Sequence, residues 1–468
     1  MYKESHLDTI RNEVRFLVIS KEKSLFDENI SVQVLVELLY SDLHQNHISI
    51  ISALTSNITE YKLRNICIYS LFDRVLYLST LYQSQNHFLN FFYEFFYNFE
   101  EKVIIEVFSR DFQQYLFSQY RNFFLPSQFL LLNAILTTLI IKSKFIAQSL
   151  INEEVSVLTF SYLGSFISLY MSQVDGELKT QYHKCVFYSL MLISLIYRLD
   201  RVELSNHYIK DIFQFIVSIY HKTPSLCQAC IVMLDSLMGF HSINPNILFD
   251  DNLHLILLYG FNTEIEEIQM DSCKFLETLS LSNPTLFCDL LSNYAHIMIS
   301  RYSKSSLMKQ FLDLIGNTIY RDSFCIIGTL FRSTWFLEMF SLFNELVYSV
   351  KSSFIRILCL LICKDNIDII NSLFEIESSI IQLFLDSIHN ESEHLLLLLE
   401  SIYIIFCHLS TVSISDDAYQ VITERNTVEI FESILFKQSG IFIEMLIERI
   451  IGLINSIFDT HMIDSITT

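Results

Sequence analysis

Apolar and polar residues in this chain alternate at helical spacing. In Phe88–Phe99 (FLNFFYEFFYNF) the polar positions Asn90, Glu94 and Asn98 fall four apart. On an α-helix they form one stripe, leaving the aromatic remainder to be buried on two sides. The FF and YEFF doublets break the period of two that a half-buried strand requires. Lys309–Ile319 behaves similarly, with Phe311, Leu312, Ile315 and Ile319 on one face. A longer period lies above this one. Two large apolar residues, two variable positions, then Leu or Ile recur as MLISL (from Met191), MLDSL (Met233), FLETL (Phe275), FLDLI (Phe311), FIRIL (Phe354), LLESI (Leu398) and FIEML (Phe442). The steps are 42, 42, 36, 43, 44 and 44 residues. A period near forty in a chain with helical punctuation predicts helical units stacked in an array.

Breaks come from short polar clusters: Asp175-Gly176, Thr223-Pro224, Asn244-Pro245 and Asn283-Pro284. The two Asn-Pro steps lie 39 residues apart, in agreement with the repeat. Each proline sits where a helix should begin, a position its fixed φ and missing N–H tolerate. Ser410–Asp417 (STVSISDD) is the expected exposed loop. Residues 1–190 carry helix signals but no phase. The expected organisation is one array over residues 1–468 of roughly ten units, with a subdivision into 1–175 and 176–468 as the alternative.

Composition narrows the fold class. A chain of 468 residues exceeds the size at which one compact core keeps growing. Glycine occurs 8 times and proline 4, far below the usual shares of about 7% and 5%. Sandwiches, barrels and doubly wound sheets consume both in tight turns. The expected fold is therefore all-α.

The formal charge is −21 and uneven. From Asp365 to Thr468 there are 17 acidic residues against Arg425, Lys437 and Arg449. From Phe112 to Asn152 there is no acid, and Arg121, Lys142 and Lys144 are present. This balance repels nucleic acid and points to a protein partner, a basic one if charge selects it. Mean hydropathy is +0.37, and Asn122–Ile141 and Val155–Val174 lack Asp, Glu, Lys and Arg. Polar residues interrupt both windows, and neither has the flanking Lys/Arg cluster of an oriented span. They read as buried helices, with a polytopic membrane protein as the competing class. The charged start MYKESHLDTIRNEV is unlike a signal peptide, and the ten cysteines lack disulfide-style spacing. A reducing compartment, cytoplasmic or nuclear, is expected.

Catalytic signatures are sparse. GxxxxGK[ST], GxGxxG, GxSxG and HExxH do not occur. Cys227-Gln-Ala-Cys230 has the pair spacing of a zinc or redox site, but no second pair follows, and its face carries Leu226, Leu234 and Leu237. Core packing is the expectation there, as for Cys359 and Cys363. His389-Asn-Glu-Ser-Glu-His394 and His44/His47 are expected in turns. No cofactor or metal is expected, and no enzymatic activity.

Leu314-Ile-Gly-Asn317-Thr-Ile and Leu453-Ile-Asn455-Ser-Ile place an Asn shortly after an aliphatic pair; Leu131-Leu-Asn133-Ala-Ile and Ile369-Ile-Asn371-Ser-Leu do so more weakly. With the period, the pattern resembles armadillo- and HEAT-type α-solenoids, which stack helices into a right-handed superhelix. In armadillo proteins such asparagines bond the backbone of an extended peptide. The resemblance thus implies a non-catalytic protein-binding scaffold, with Asn133, Asn317, Asn371 and Asn455 on its binding face. Acidic steering is expected from Glu391, Glu393, Asp416 and Asp417. The Trp-with-Asn ladder of nuclear-import adaptors is missing: Trp335 is the single tryptophan and position 339 is Met. A regulatory subunit of a phosphatase or transport complex stays open.

Overall fold

The computed structural model describes residues 31–41, 46–58, 66–82, 85–123, 125–151, 155–173, 176–199, 206–240, 251–302, 306–321, 324–364, 366–376, 380–388, 394–411, 427–437 and 441–467. Among them there are 24 α-helices, one 3-10 turn and no strand. The chain divides into two compact units, residues 1–256 and 257–468.

The first unit contains α1 (Val32–Leu39), α2 (His47–Asn57), α3 (Ile68–Leu81), α4 (Gln85–Asn98), α5 (Glu101–Val107) and α6 (Arg110–Arg121). It continues with α7 (Pro126–Lys142), α8 (Lys144–Ile151), α9 (Val155–Ser172), α10 (Glu177–Leu199), α11 (Asn206–Ile219) and α12 (Pro224–Phe240). Helix α13 (Asp251–Asn262) contains the boundary. The second unit holds α14 (Glu266–Ser282), α15 (Pro284–Tyr302), α16 (Ser306–Tyr320), α17 (Phe324–Arg332), α18 (Thr334–Leu342) and α19 (Tyr348–Ile362). It ends with α20 (Ile367–Ile376), α21 (Ile380–Ile388), α22 (Leu395–Thr411), α23 (Thr427–Lys437) and α24 (Ile441–Thr467).

Each unit is a row of five helices laid side by side. In the first, α2 packs on α4, α4 on α7, α7 on α10, and α10 on α12. In the second the order is α14, α16, α19, α22, α24. All seven copies of the five-residue pattern fall on these stacked helices. The leading residue of six copies is buried; Phe442, in the last, is 80% exposed. A helix with a neighbour on either side and flanking helices behind it must be apolar almost all round. Helix α7 shows this, with every residue from Phe129 to Ile140 buried. Flanking helices are amphipathic instead: α21 buries Ile380, Ile381, Phe384, Leu385 and Ile388 along one stripe.

The first uncharged window is accounted for by this packing, as α7; the second, α9, departs from the expected buried helix, burying one stripe (Val155, Phe160, Leu163, Phe166 and Tyr170) and exposing Val157, Leu169 and Met171. Among the described residues no helix is long and apolar enough to cross a membrane.

Helix starts follow the expected chemistry. Pro126, Pro224 and Pro284 open α7, α12 and α15. Beside two of them, the Leu226 N–H donates to Thr223 Oγ1 at 3.2 Å and the Leu286 N–H to Asn283 Oδ1 at 3.1 Å. These caps satisfy donors that the helix leaves unpaired. Asn244-Pro245 and residues 412–417 of the expected loop lie outside the described residues, while Ser410 and Thr411, expected in that loop, form the last residues of α22. Gly176 precedes α10 with φ +121°, a conformation that side chains disfavour.

The aromatic run becomes the core of the first unit. Phe72 of α3 meets Phe92, Phe95, Phe96 and Phe112 at ring-centroid distances of 5.1, 5.1, 5.7 and 5.2 Å. The polar stripe is partly buried: Glu94 is 7% exposed while Asn90 and Asn98 are half-buried, and Asn98 Nδ2 donates to Glu94 Oε2 at 3.1 Å. Lys142, at the end of α7, donates to the Phe99 carbonyl at 2.7 Å and to that of Tyr97. There its ammonium meets carbonyls that the end of α4 leaves open.

Cys227 and Cys230 lie in the core of the first unit and Cys359 in that of the second; Cys363 is half-buried. Burial pushes the Cys227 thiol up to about 12 and the Cys230 thiol well above its ordinary value. Cys67 is the opposite case: exposed, with the Ser70 hydroxyl donating to its sulfur at 3.2 Å and lowering its pKa.

Two predictions follow from this packing. Phe92→Ala should cost about 3–5 kcal/mol in urea unfolding, because it opens a void among rings, whereas Phe442→Ser should stay within about 0.5 kcal/mol. With a thiol reagent near pH 8, Cys67→Ser should remove a fast-reacting group, and Cys227→Ser should leave the fast phase unchanged.

Candidate partner-binding surface

Stacked helices exchange polar contacts at one repeat of separation. In the first unit, Arg198 on α10 reaches α12. Its Nη2 donates to Asp235 Oδ2 at 2.8 Å and its Nε to Ser236 Oγ at 2.9 Å. In the second, the Ser353 hydroxyl on α19 donates to Asp313 Oδ1 on α16 at 2.7 Å, across 40 residues of sequence. Arg356 Nη2 donates to Asn317 Oδ1 at 2.8 Å, across 39. The Ser401 hydroxyl on α22 donates to the Cys359 carbonyl at 3.2 Å, across 42. Arg356 can lie over α16 because residue 316 is Gly; a Cβ there would come within 3.0 Å of Nη1.

The same register carries a row of charge. In six of the seven copies the third position of the five-residue pattern is charged: Asp235 in the first unit, then Glu277, Asp313, Arg356, Glu400 and Glu444 on the five stacked helices of the second; in the first copy it is the buried Ile193. Neighbouring packed helices lie about 8–10 Å apart, so these groups recur at that pitch. Glu277 faces Arg321 at 4.0 Å. Asp313 is held by Lys309 at 2.8 Å and by Ser353, with Arg356 at 4.0 Å. Glu400 and Glu444 are exposed, and neither carboxylate has a partner among the described residues. The sequence reading missed this row by treating the third position as variable. Aligning the seven copies and asking only for charge there would have found it.

The predicted asparagines occupy four different settings. Asn133 is 1% exposed between helices; its Oδ1 accepts from the Tyr120 hydroxyl at 3.4 Å, and its Nδ2 has no partner among the described residues. Asn317 is half-buried, with its Oδ1 engaged by Arg356. Asn371 is exposed on α20, a flanking helix, at 3.3 Å from His408 Nε2. Asn455 is exposed on α24. Thus Asn317 and Asn455 share the stack with the charged row, and Asn371 does not. Glu391, Glu393, Asp416 and Asp417 lie outside the described residues, as do His44 and His389. His47 departs from its expected turn: it opens α2, fully buried, with Nδ1 2.9 Å from the Tyr82 hydroxyl and Nε2 3.0 Å from the Ser41 carbonyl. Both ring nitrogens thereby find partners, which makes burial affordable. Trp335 and Met339 are both buried. Among the described residues no group of three or more His, Cys, Asp or Glu is placed to hold a metal.

No protein-family model and no curated protein matches this chain. Solved structures do. An engineered protein is 11% identical at a TM-score of 0.61, the match covering 91% of this chain and 99% of that one. A second structure comes from work on a conserved phosphorylation switch that controls the interaction between cadherin and beta-catenin. It is 11% identical at a TM-score of 0.56, covering 96% of both chains. The fold is therefore an all-α solenoid of armadillo/HEAT type.

The repeat-spaced pairs should be measurable. A double-mutant cycle of Arg198→Ala and Asp235→Ala should return a coupling of about 1 kcal/mol, because both groups are more than half buried and hydrogen-bonded. Additive single effects would mean that the contact contributes nothing.

Proposed function

We propose that this chain is a non-catalytic protein-binding scaffold that holds a basic segment of a partner along the stacked helices of its second unit. The carrying observation is that Glu400 and Glu444 stand exposed and unpaired at equivalent positions of adjacent helices. Like charges repeated at about 10 Å repel one another and gain nothing for folding; lysine or arginine side chains laid across them supply what is missing. Glu277 and Asp313 extend the row, and Asn317 and Asn455 offer amides to a partner backbone. Glu391, Glu393, Asp416 and Asp417 add attraction over distance, which raises the association rate more than the affinity. The solenoid fold supports this reading, since such stacks present extended surfaces. The cadherin and beta-catenin structure supports it as a fold neighbour examined for a protein–protein interaction.

The test uses a labelled Lys/Arg-rich peptide and the full chain. Glu400→Gln with Glu444→Gln should weaken binding about tenfold, the loss of roughly 1.4 kcal/mol, and make the dependence of affinity on salt shallower. Unchanged affinity and salt slope would remove the acidic row from the binding site. Replacing Glu391, Glu393, Asp416 and Asp417 by Ser should slow association and leave dissociation nearly unaltered.

A further inference from the structure

The acid-free stretch of the first unit has no part in that reading, and a groove of about 500 Å³ lies over α6, which begins with Arg110 and Asp111 just ahead of that stretch. Arg110, Gln114, Phe117 and Arg121 line it along one face, with Gln113, Ser118 and Asn122 beside them. Eleven residues at about 100° each return Arg121 to within roughly 20° of Arg110's direction, some 16 Å further along the axis. Phe117 is buried at the floor. Gln113 Nε2 donates to Ser149 Oγ at 2.8 Å, which ties α6 to α8, and the Tyr162 hydroxyl donates to the Arg121 carbonyl at 3.3 Å. The rim is thus fixed in place by its neighbours.

Its charge stands out against a chain of net charge −21. Arg110 and Arg121 are exposed, and neither guanidinium is paired with an acid among the described residues. Lys142, from the same stretch, is turned inward onto the α4 carbonyls. Asp111 is the acid nearest in sequence and stays outside the lining. Two free guanidinium forks at the ends of a groove furnished with amides and a hydroxyl match carboxylates presented on an extended backbone.

We propose that this groove docks an acidic extended segment of a partner protein, with two carboxylates about four or six residues apart, since an extended chain advances about 3.3 Å per residue and only an even spacing keeps both side chains on one face. Gln114 and Ser118 hold the backbone between them, and an apolar side chain of the segment lies over Phe117. This site is independent of the acidic row: it is in the other unit and takes the opposite charge.

The experiment is fluorescence anisotropy of the full chain with a short labelled peptide carrying two glutamates at that spacing. Controls are the same peptide with both replaced by glutamine, and oligothymidine of equal length. The glutamate peptide should bind in a salt-sensitive manner, and R110E/R121E should weaken it at least about tenfold while leaving helical circular dichroism unchanged. R110Q/R121Q serves as the milder variant. Binding of the Lys/Arg-rich peptide should be the same in wild type and variant, which separates this site from the acidic row. Equal binding of the glutamate and glutamine peptides, or equal binding by the variants, overturns the proposal. Tighter binding of oligothymidine than of the glutamate peptide overturns it as well, in favour of a phosphate backbone.

Discussion

The interior helices of each stack can exist only if they are covered on both flanks, and most of what distinguishes this chain follows from that. Helix α7 cannot stand alone in water with every residue from Phe129 to Ile140 apolar or buried; α4 and α10 on either side make it stable. The same requirement explains the high hydropathy, the scarcity of glycine and proline, and the uncharged window that becomes α7. It also limits where polar groups survive. Within the stack they persist when the neighbouring repeat supplies a partner, as with Arg198 and Asp235, Ser353 and Asp313, or Ser401 and the Cys359 carbonyl, or when a hydroxyl bonds a carbonyl of its own helix, as Thr138 and Thr318 do. A buried amide without a partner among the described residues, such as Asn133 Nδ2, costs about 1–3 kcal/mol, which argues that such positions are tolerated rather than favoured.

Charge appears where the stack meets solvent. The third position of the last six copies lies at that margin and carries charge, whereas in the first copy it is Ile193, buried in the core. Toward the end of the second unit these acids lose their internal partners: Asp313 is tied by three groups, while Glu400 and Glu444 have none among the described residues. The first unit shows the reverse polarity along α6, where arginines are the unpaired groups. One chain thus carries two surfaces of opposite sign, each built on the regular positions of its own helices.

Much of the fold was legible in the sequence, because burial on two sides forces a repeated spelling. The seven copies lie on the stacked helices, the Thr223-Pro224 and Asn283-Pro284 steps start helices, and Cys227, Cys230 and Cys359 are in the core as pattern alone placed them, whereas Cys363, expected there too, is half-buried. The phase of residues 1–190 was not legible, although Ile50–Leu54 on α2 and Leu131–Ile135 on α7 carry the same spelling. The interval from Leu131 to Met191 is stretched by the lengths of α9 and α10, 18 and 23 residues, and the even step fails there. Of the candidate site, less was legible. An asparagine after an aliphatic pair occurs both at the margin, as Asn455, and deep in the stack, as Asn133, and only packing separates the two. His47 was misplaced for the same reason: its partners, Tyr82 and Ser41, are brought to it by tertiary structure.

The most direct test of the account is site-specific photo-crosslinking of the full chain to a bound Lys/Arg-rich peptide, with the crosslinker placed at Asn455 on the stack or at Ile367 on a flanking helix. Both side chains are exposed, so neither replacement disturbs the core. The account predicts crosslinking from position 455, lost in high salt, and none from position 367. Crosslinking from position 367 alone would place the partner on the flanking helices and contradict a binding surface formed by the stack.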